Sequence, residues 1–213
     1  MTKLSKESII EFEDIFTFET DENNNLNSNH QSSIYIEDAA FNGTNIDQID
    51  WPEGVKVIGH DAFAHCGNIK TVVIPDSVIK MGERAFIECV LLNSISFSNK
   101  MSVIPLGCCA ECLALEKVSI PFTIRTIGYN AFAKCLSLKG INIPEGVKCI
   151  EDGAFSFCRQ LETVTLPASI KKMGEGVFCG CDELKEINVP CGYKDRFEEL
   201  LPEWRGLINE MIE

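Results

Sequence analysis

The chain has 213 residues, 45% of them hydrophobic and 24% charged, with eleven cysteines, a formal net charge of −13 and a pI near 4.7. That excess of acid argues against a nucleic-acid or anionic-membrane surface, which needs clustered Lys and Arg. Nothing approaches the run of about eighteen apolar residues that reads as a membrane span.

Taken in order, residues 1–33 are expected to form an N-terminal cap and linker. SKESIIEFEDIF sets Ile9, Phe12 and Phe16 at helical spacing, while Phe16 and Phe18 alternate as in a strand. TDENNNLNSNHQSS then reads as a polar linker or disordered loop. The opening residues show neither the apolar core nor the cleavage site of a secretory signal, so a cytoplasmic chain is expected, with the cell surface or secretion as the alternative.

From about residue 34 to Pro190 one unit repeats. Ile127 returns as Ile150, Ala131-Phe132 as Ala154-Phe155, Cys135 as Cys158 and Pro144 as Pro167, each at an offset of 23. The cysteine slot holds Cys66, Cys89, Cys112, Cys135, Cys158 and Cys181, and the proline slot runs from Pro52 to Pro190 with Ser98 as its only gap. A fixed period of this length means stacked repeats. Within the unit, L-x-x-V-x-I alternates as a short strand with one buried face (Val164 and Leu166 in, Thr163 and Thr165 out). Proline ends that strand because it cannot donate to a ladder. The A-F-x-x-C segment is too short for a full helix and reads as a tight turn with Phe as the wedge.

One such coil cannot stand alone. Ordering its backbone costs roughly 1–2 kcal/mol per residue, and its buried side chains return roughly 1.5–3 kcal/mol each only when covered above and below. The expected fold is a β-rich α/β solenoid, a right-handed stack of about seven coils with one parallel sheet, an N-terminal cap, and a helical cap over residues 191–213. Trp204, Leu207, Ile208 and Met211 mark one face of that terminal helix, preceded by Tyr193, Phe197, Leu200 and Leu201.

The combination of L-x-x-V-x-I-P with I-G-x-x-A-F-x-x-C resembles the BspA-like class of leucine-rich repeat. The resemblance implies a binding protein, often secreted or surface-bound. The Asn/Cys mark that usually follows the strand in leucine-rich repeats is absent here, and the cysteines precede the strand instead.

Two coils are irregular. The first has lost one residue, and Gly43 stands where cysteine is expected. In the middle coil IPLGCCAEC replaces I-G-x-x-A-F-x-x-C, so Cys108 and Cys109 take the Ala-Phe slots. The lost phenyl volume must be filled by larger neighbours, which makes this the expected weak rung.

Ladder cysteines are expected to be reduced structural thiols, small buried hydrophobes on parallel side chains. A zinc site drawn from Cys108, Cys109 and Cys112 is the alternative, but zinc sites use paired C-x-x-C units or Cys with His, and no histidine follows His65. No nucleophile elbow, phosphate loop or zincin motif occurs. No catalytic residue, metal or cofactor is therefore expected.

Recognition of a protein partner by a chain expected to be monomeric remains, and two surfaces offer it. The outward strand slots include Thr71, Ser94, Ser96, Lys117, Ser119, Asn142, Thr163 and Thr165, a small polar face that serves equally as a docking surface or as a plain solvated sheet. The second is a turn slot two residues before the strand Leu, where Val90, Leu113 and Leu136 stand apolar between Gly67 and Arg159. Leu91 lies beside it, and Phe122 and Phe157 are further apolar residues at otherwise polar slots.

Overall fold

A computed structural model describes residues 34–211, in which coil follows coil along a single axis. The predicted strands are present as β3 (Thr71–Val73), β5 (Ser94–Ser96), β7 (Lys117–Ser119), β9 (Gly140–Asn142), β11 (Thr163–Thr165) and β13 (Glu186–Val189). They pair in parallel, Thr71 opposite Ser94 opposite Lys117, so the 23-residue repeat is the sheet register itself. Their middle residues Val72, Ile95, Ile141, Val164 and Ile187 are buried.

A second line of strands runs beside the expected one. It consists of β1 (Ile34–Ile36), β2 (Val55–Ile58), β4 (Lys80–Met81), β6 (Val103–Ile104), β8 (Thr126–Ile127), β10 (Cys149–Ile150) and β12 (Lys172–Met173). β2, β4, β8, β10 and β12 follow the proline turn and β6 the equivalent turn at Ser98, and each of these sets an Ile or Met toward the core. A coil is therefore two short strands and a turn, rather than one strand and a turn.

The A-F-x-x-C turn carries a left-handed residue on either side of its Ala-Phe pair, such as Asp61 and His65 (φ 53° and 58°) or Gly153 and Phe157 (φ 64° and 59°). This conformation turns alternate N–H groups toward the next coil. Asp61, Phe63 and His65 donate to the carbonyls of Glu83, Ala85 and Ile87 at 2.8–2.9 Å. Turns are thus tied to turns much as strands are to strands.

Two ladders fill the core. Phe41, Phe63 and Phe86 stack with centroids 5.1 and 5.2 Å apart, and Phe132, Phe155 and Phe178 at 5.4 and 6.0 Å. The ladder cysteines lie beside them, each thiol donating to a carbonyl of the preceding coil. Cys89 reaches Phe63 O at 3.2 Å, Cys112 reaches Phe86 O at 3.1 Å and Cys158 reaches Phe132 O at 3.1 Å. A thiol is small enough for the inner corner and still supplies a weak donor. All eleven cysteines are free.

The middle coil interrupts the phenyl ladder and leaves the cysteine ladder whole. Cys109 occupies the phenyl slot, and the space is taken by Phe97, whose ring meets Phe132 edge-on at 6.2 Å, and by buried Met101, at positions that other coils give to smaller aliphatics. Pro105 has a further effect. At its slot Gly59, Gly82, Gly128, Glu151 and Gly174 donate to the carbonyl of the preceding Ile at 2.7–2.9 Å. Proline has no N–H, and the second strand line divides here into β1-β2-β4 and β6-β8-β10-β12. The first line divides one step later, between β7 and β9.

The C-terminal cap begins as expected with helix α1 (Lys194–Leu200), which buries Phe197. Beyond it the expected helical face is not continued. A 3₁₀ turn (Pro202–Leu207) sets Trp204 edge-on to Phe178 at 6.3 Å, and the chain then extends as β14 (Ile208–Glu210), parallel to β13. Ile208 is buried and Met211 is exposed. The last coil offers a row of unpaired sheet donors and acceptors, and a strand satisfies them where a helix cannot. The N-terminal expectation falls in residues 1–33, outside the described residues.

Candidate functional site

The outward strand residues are divided by the break between β7 and β9. Thr71, Ser94, Ser96, Lys117 and Ser119 share one sheet, and Asn142, Thr163 and Thr165 the next. Ser94 Oγ lies 3.4 Å from Thr71 Oγ1, in the cross-strand pairing of a solvated polar sheet. One bulky apolar side chain interrupts this face, Val73, which is 61% exposed. It borders a shallow hollow of about 450 Å³ that also touches Asp76, Ser96, Ser119 and Pro121.

The apolar turn stripe is assembled as expected. Ala114 N–H donates to Val90 O and Ser137 N–H to Leu113 O, both at 3.2 Å, which stacks the three turns in register. Val90, Leu91 and Leu113 are exposed, and Leu136 is half-buried. They do not fill the volume left at Cys109, since Phe97 and Met101 do so. Phe122 is exposed but lies at the far end of β7, with its carbonyl accepting from Arg125 Nη1 at 2.7 Å, and it does not join the stripe.

A third surface was not found by pattern. A groove of about 800 Å³ crosses the turns of five coils. Its floor is made of small residues, among them Gly107, Ala110, Ala133, Gly153 and Ser156. One wall is a single repeat column, Leu106, Tyr129, Asp152 and Glu175; the other holds Glu111, Lys134 and Phe157. The first column begins with His60 and Glu83 and turns apolar only at Leu106 and Tyr129, which is the signal that reading along the chain passes over.

Charges on the turns pair from coil to coil. Arg84 binds Asp61 through two bonds of 2.9 and 2.7 Å, and the guanidinium holds the Asp61 carboxyl below its usual range. Lys134 binds Glu111 at 2.6 Å, and His65 meets Glu88 at 3.2 Å. Across the coil, the Lys185 ammonium lowers the Glu162 carboxyl in the same way. His60 accepts from Glu83 N–H and so serves a turn. Burial pushes four of the core thiols upward, Cys181 to about 12 and Cys89, Cys109 and Cys135 also well up. They are therefore poor nucleophiles and poor metal ligands at neutral pH. What the surface offers is shape, apolar contact and fixed charge.

The sequence matches the BspA type leucine rich repeat region in six copies, over residues 14–139 and 102–199. No curated protein matches it. Among solved structures, a leucine-rich repeat protein from Bacteroides ovatus aligns at 24% identity with a TM-score of 0.71, over 84% of this chain and 45% of the other. The leucine-rich repeat protein of T. pallidum aligns at 26% identity with a TM-score of 0.67, over 88% and 94%. A leucine rich cell surface protein from Faecalibacterium prausnitzii aligns at 27% with a TM-score of 0.56, over 87% and 40%. The chain thus spans less than half the length of the Bacteroides and Faecalibacterium proteins. With the repeat register, the tied turns and the profile match in agreement, the chain belongs to the BspA-type leucine-rich repeat family.

Proposed function

We propose that the chain is a non-catalytic protein-recognition module whose partner docks on the apolar turn stripe of the central coils. The observation that carries this reading is where exposed apolar side chains gather. Among the described residues, ten of the twelve large exposed hydrophobics lie between Val73 and Phe157, although the repeat places no such demand on those slots. Val90, Leu91 and Leu113 form one contiguous group with half-buried Leu136 beside them, and the flanking coils rim it with charge at Arg159 and Asp182, 3.9 Å apart, as in small docking sites. The polar residues Thr71, Ser94, Ser96, Lys117, Ser119, Asn142, Thr163 and Thr165, and Phe122 beyond them, would then surround the contact.

The double variant Leu113→Glu with Leu136→Lys tests the reading. Expected is a melt within about 1 kcal/mol of wild type, as for surface changes, with loss of the protein captured by the wild-type chain. A fall of several kcal/mol would make these side chains core and overturn the docking site.

Two settings are compatible with such a module. Eleven free thiols, with Cys179 and Cys191 exposed, favour a reducing compartment. Likeness to a protein described as a cell surface protein favours an adhesin-like role. Fractionation of the native host separates them: recovery with the envelope supports the second and excludes the first.

A further inference from the structure

The turn-face groove has its own chemistry, separate from the stripe. Its walls change character along the axis. Leu106 and Tyr129, 36% and 45% exposed, form the first half of one wall, and Asp152 and Glu175 continue it in the next two coils. Phe157, 45% exposed, faces this junction from the other wall.

Phe157 is marked by its residue type. Its slot is left-handed in every coil, at φ 56–61° for His65, Glu88, Glu111, Lys134 and Phe157, and Phe157 is the one apolar side chain in it. The same slot in the next coil is Gly180, and a Cβ there would come within 2.5 Å of Phe157 Cδ1. The ring lies over the glycine and remains half-open to the groove. The other coils fill this slot with a glycine, a histidine or a charged residue, so the repeat does not require a half-open aromatic there.

The charges are asymmetric as well. Both cations of the groove are neutralised, Arg84 by Asp61 and Lys134 by Glu111. Among the described residues no ion pair reaches Asp152 or Glu175; Asp152 Oδ1 accepts only the Glu175 backbone N–H, at 3.0 Å. The occupant must therefore bring its own positive charge to one end and an apolar side chain to the other.

We propose that this groove binds an extended peptide segment carrying an apolar side chain and, two residues on, a Lys or Arg. The apolar group seats among Leu106, Tyr129 and Phe157, and the cation meets Asp152 and Glu175. The dimensions agree. Coils about 4.8 Å apart put the centres of the two halves roughly 10 Å from each other, while same-face side chains of an extended peptide are about 6.6 Å apart. The stem of a lysine spans the remainder and lies along the apolar wall as it does so. This goes beyond the proposed function, since it names a second surface and the chemistry of what fills it.

The test measures fluorescence anisotropy of three labelled peptides on the full chain: GSLKLKLKGS, its acidic counterpart GSLELELEGS, and GSSKSKSKGS. Expected is saturable binding of the first, at least tenfold weaker binding of the other two, and a further tenfold loss for the first with Asp152→Asn plus Glu175→Gln. The pair Glu186→Gln plus Glu199→Gln, which removes equal charge outside the groove, leaves binding unchanged. Equal loss from both pairs would show attraction to net charge alone and overturn the proposal, as would equal binding of all three peptides. The outcome is independent of the stripe: a protein captured through Leu113 and Leu136 leaves the proposed function standing even if no peptide enters the groove.

Discussion

The coils around Phe155 and the coil around Cys109 are built on the same register and hold their cores by different means. In the first, Phe132, Phe155 and Phe178 stack face to face, each ladder thiol reaches a carbonyl one coil back, and the backbone ladders run unbroken through β8, β10 and β12. In the second, the phenyl ring is missing, Phe97 and Met101 supply its volume from other slots, and Pro105 removes a rung. The difference separates what the repeat requires from what it prefers. Volume is required, and several slots can supply it. A ring at one particular slot is only preferred, and a backbone donor at the proline position can be forgone with the sheet divided.

The coarsest way to break this comparison is to cut the register. Deleting Ile127 through Cys149 removes one whole unit and brings Thr126 against Ile150, so a shorter folded solenoid is expected, with circular dichroism and a cooperative melt close to wild type. Deleting about half that length places core residues opposite solvent slots throughout the distal coils and is expected to abolish the cooperative transition. Equal damage from both deletions would contradict interchangeable coils.

Next in size is the contrast between the two phenyl slots. Phe155→Ala opens a cavity between two stacked rings, and a loss of about 3–5 kcal/mol is expected in urea titrations. Cys109→Ala removes a single sulfur from a site already repacked by Phe97, and about 1 kcal/mol is expected. If Cys109→Ala proves as damaging as Phe155→Ala, the compensation by Phe97 and Met101 is wrong.

Thiols provide a gentler comparison. Cys179 and Cys191 are exposed, and the ladder cysteines are buried. At pH 8 the first two are expected to react promptly with an aromatic disulfide reagent, and close to eleven groups in denaturant. The pH dependence of stability has a definite sign. Cys181 ionises at about 12 when folded, against an ordinary 9.0, so below pH 9 both states hold the proton and the full stability is present. Between about 9 and 12 the unfolded chain sheds protons that the folded chain keeps, and stability falls as pH rises. Cys89, Cys109 and Cys135 are shifted in the same direction and add to the slope. A flat alkaline limb in the melting temperature would show the ladder thiols to be more accessible than their geometry implies.

These contrasts also explain what the sequence revealed. Cys66, Cys89 and their successors were legible because every coil needs the same small donor at the same corner, and such a demand leaves one mark per period. The second strand line was not legible. Pairs such as Val103–Ile104 and Thr126–Ile127 are two residues long and carry too little alternation to register as strands. At the C-terminus, Trp204, Leu207, Ile208 and Met211 do fall at helical spacing. The open edge of β13 nevertheless draws Ile208 into a strand, and tertiary hydrogen bonding prevails over local pattern. The apolar stripe could be read from Val90, Leu113 and Leu136 because their slot holds Gly67 and Arg159 elsewhere. The groove could not, because Leu106, Tyr129 and Phe157 come from two slots in three coils, and the small floor between them is ordinary for the repeat.

The smallest expected effect isolates the missing rung. Pro105→Gly restores an N–H at the slot where Gly82 and Gly128 donate to Ile58 O and Ile104 O at 2.7 and 2.8 Å, and the new donor would face Met81 O. Glycine is the suitable replacement, since a Cβ at Gly82 or Gly128 would approach the backbone of the preceding coil to 2.4 or 2.8 Å. One net hydrogen bond contributes about 0.5–1.5 kcal/mol. Exchanging proline for glycine loosens the unfolded chain and costs an amount of about the same size. The two nearly cancel, so the melting temperature is expected to change little. Local protection does not share this cancellation, because it reports the ladder rather than the unfolded state. Amide hydrogen exchange in β6 and β4 should therefore slow in the variant, while β10 and β12 stay as they were. If exchange in β6 is unaltered, the division of the sheet does not arise from the absent donor, and the irregular packing around Cys108 and Met81, whose sulfurs lie 3.4 Å apart, becomes its cause.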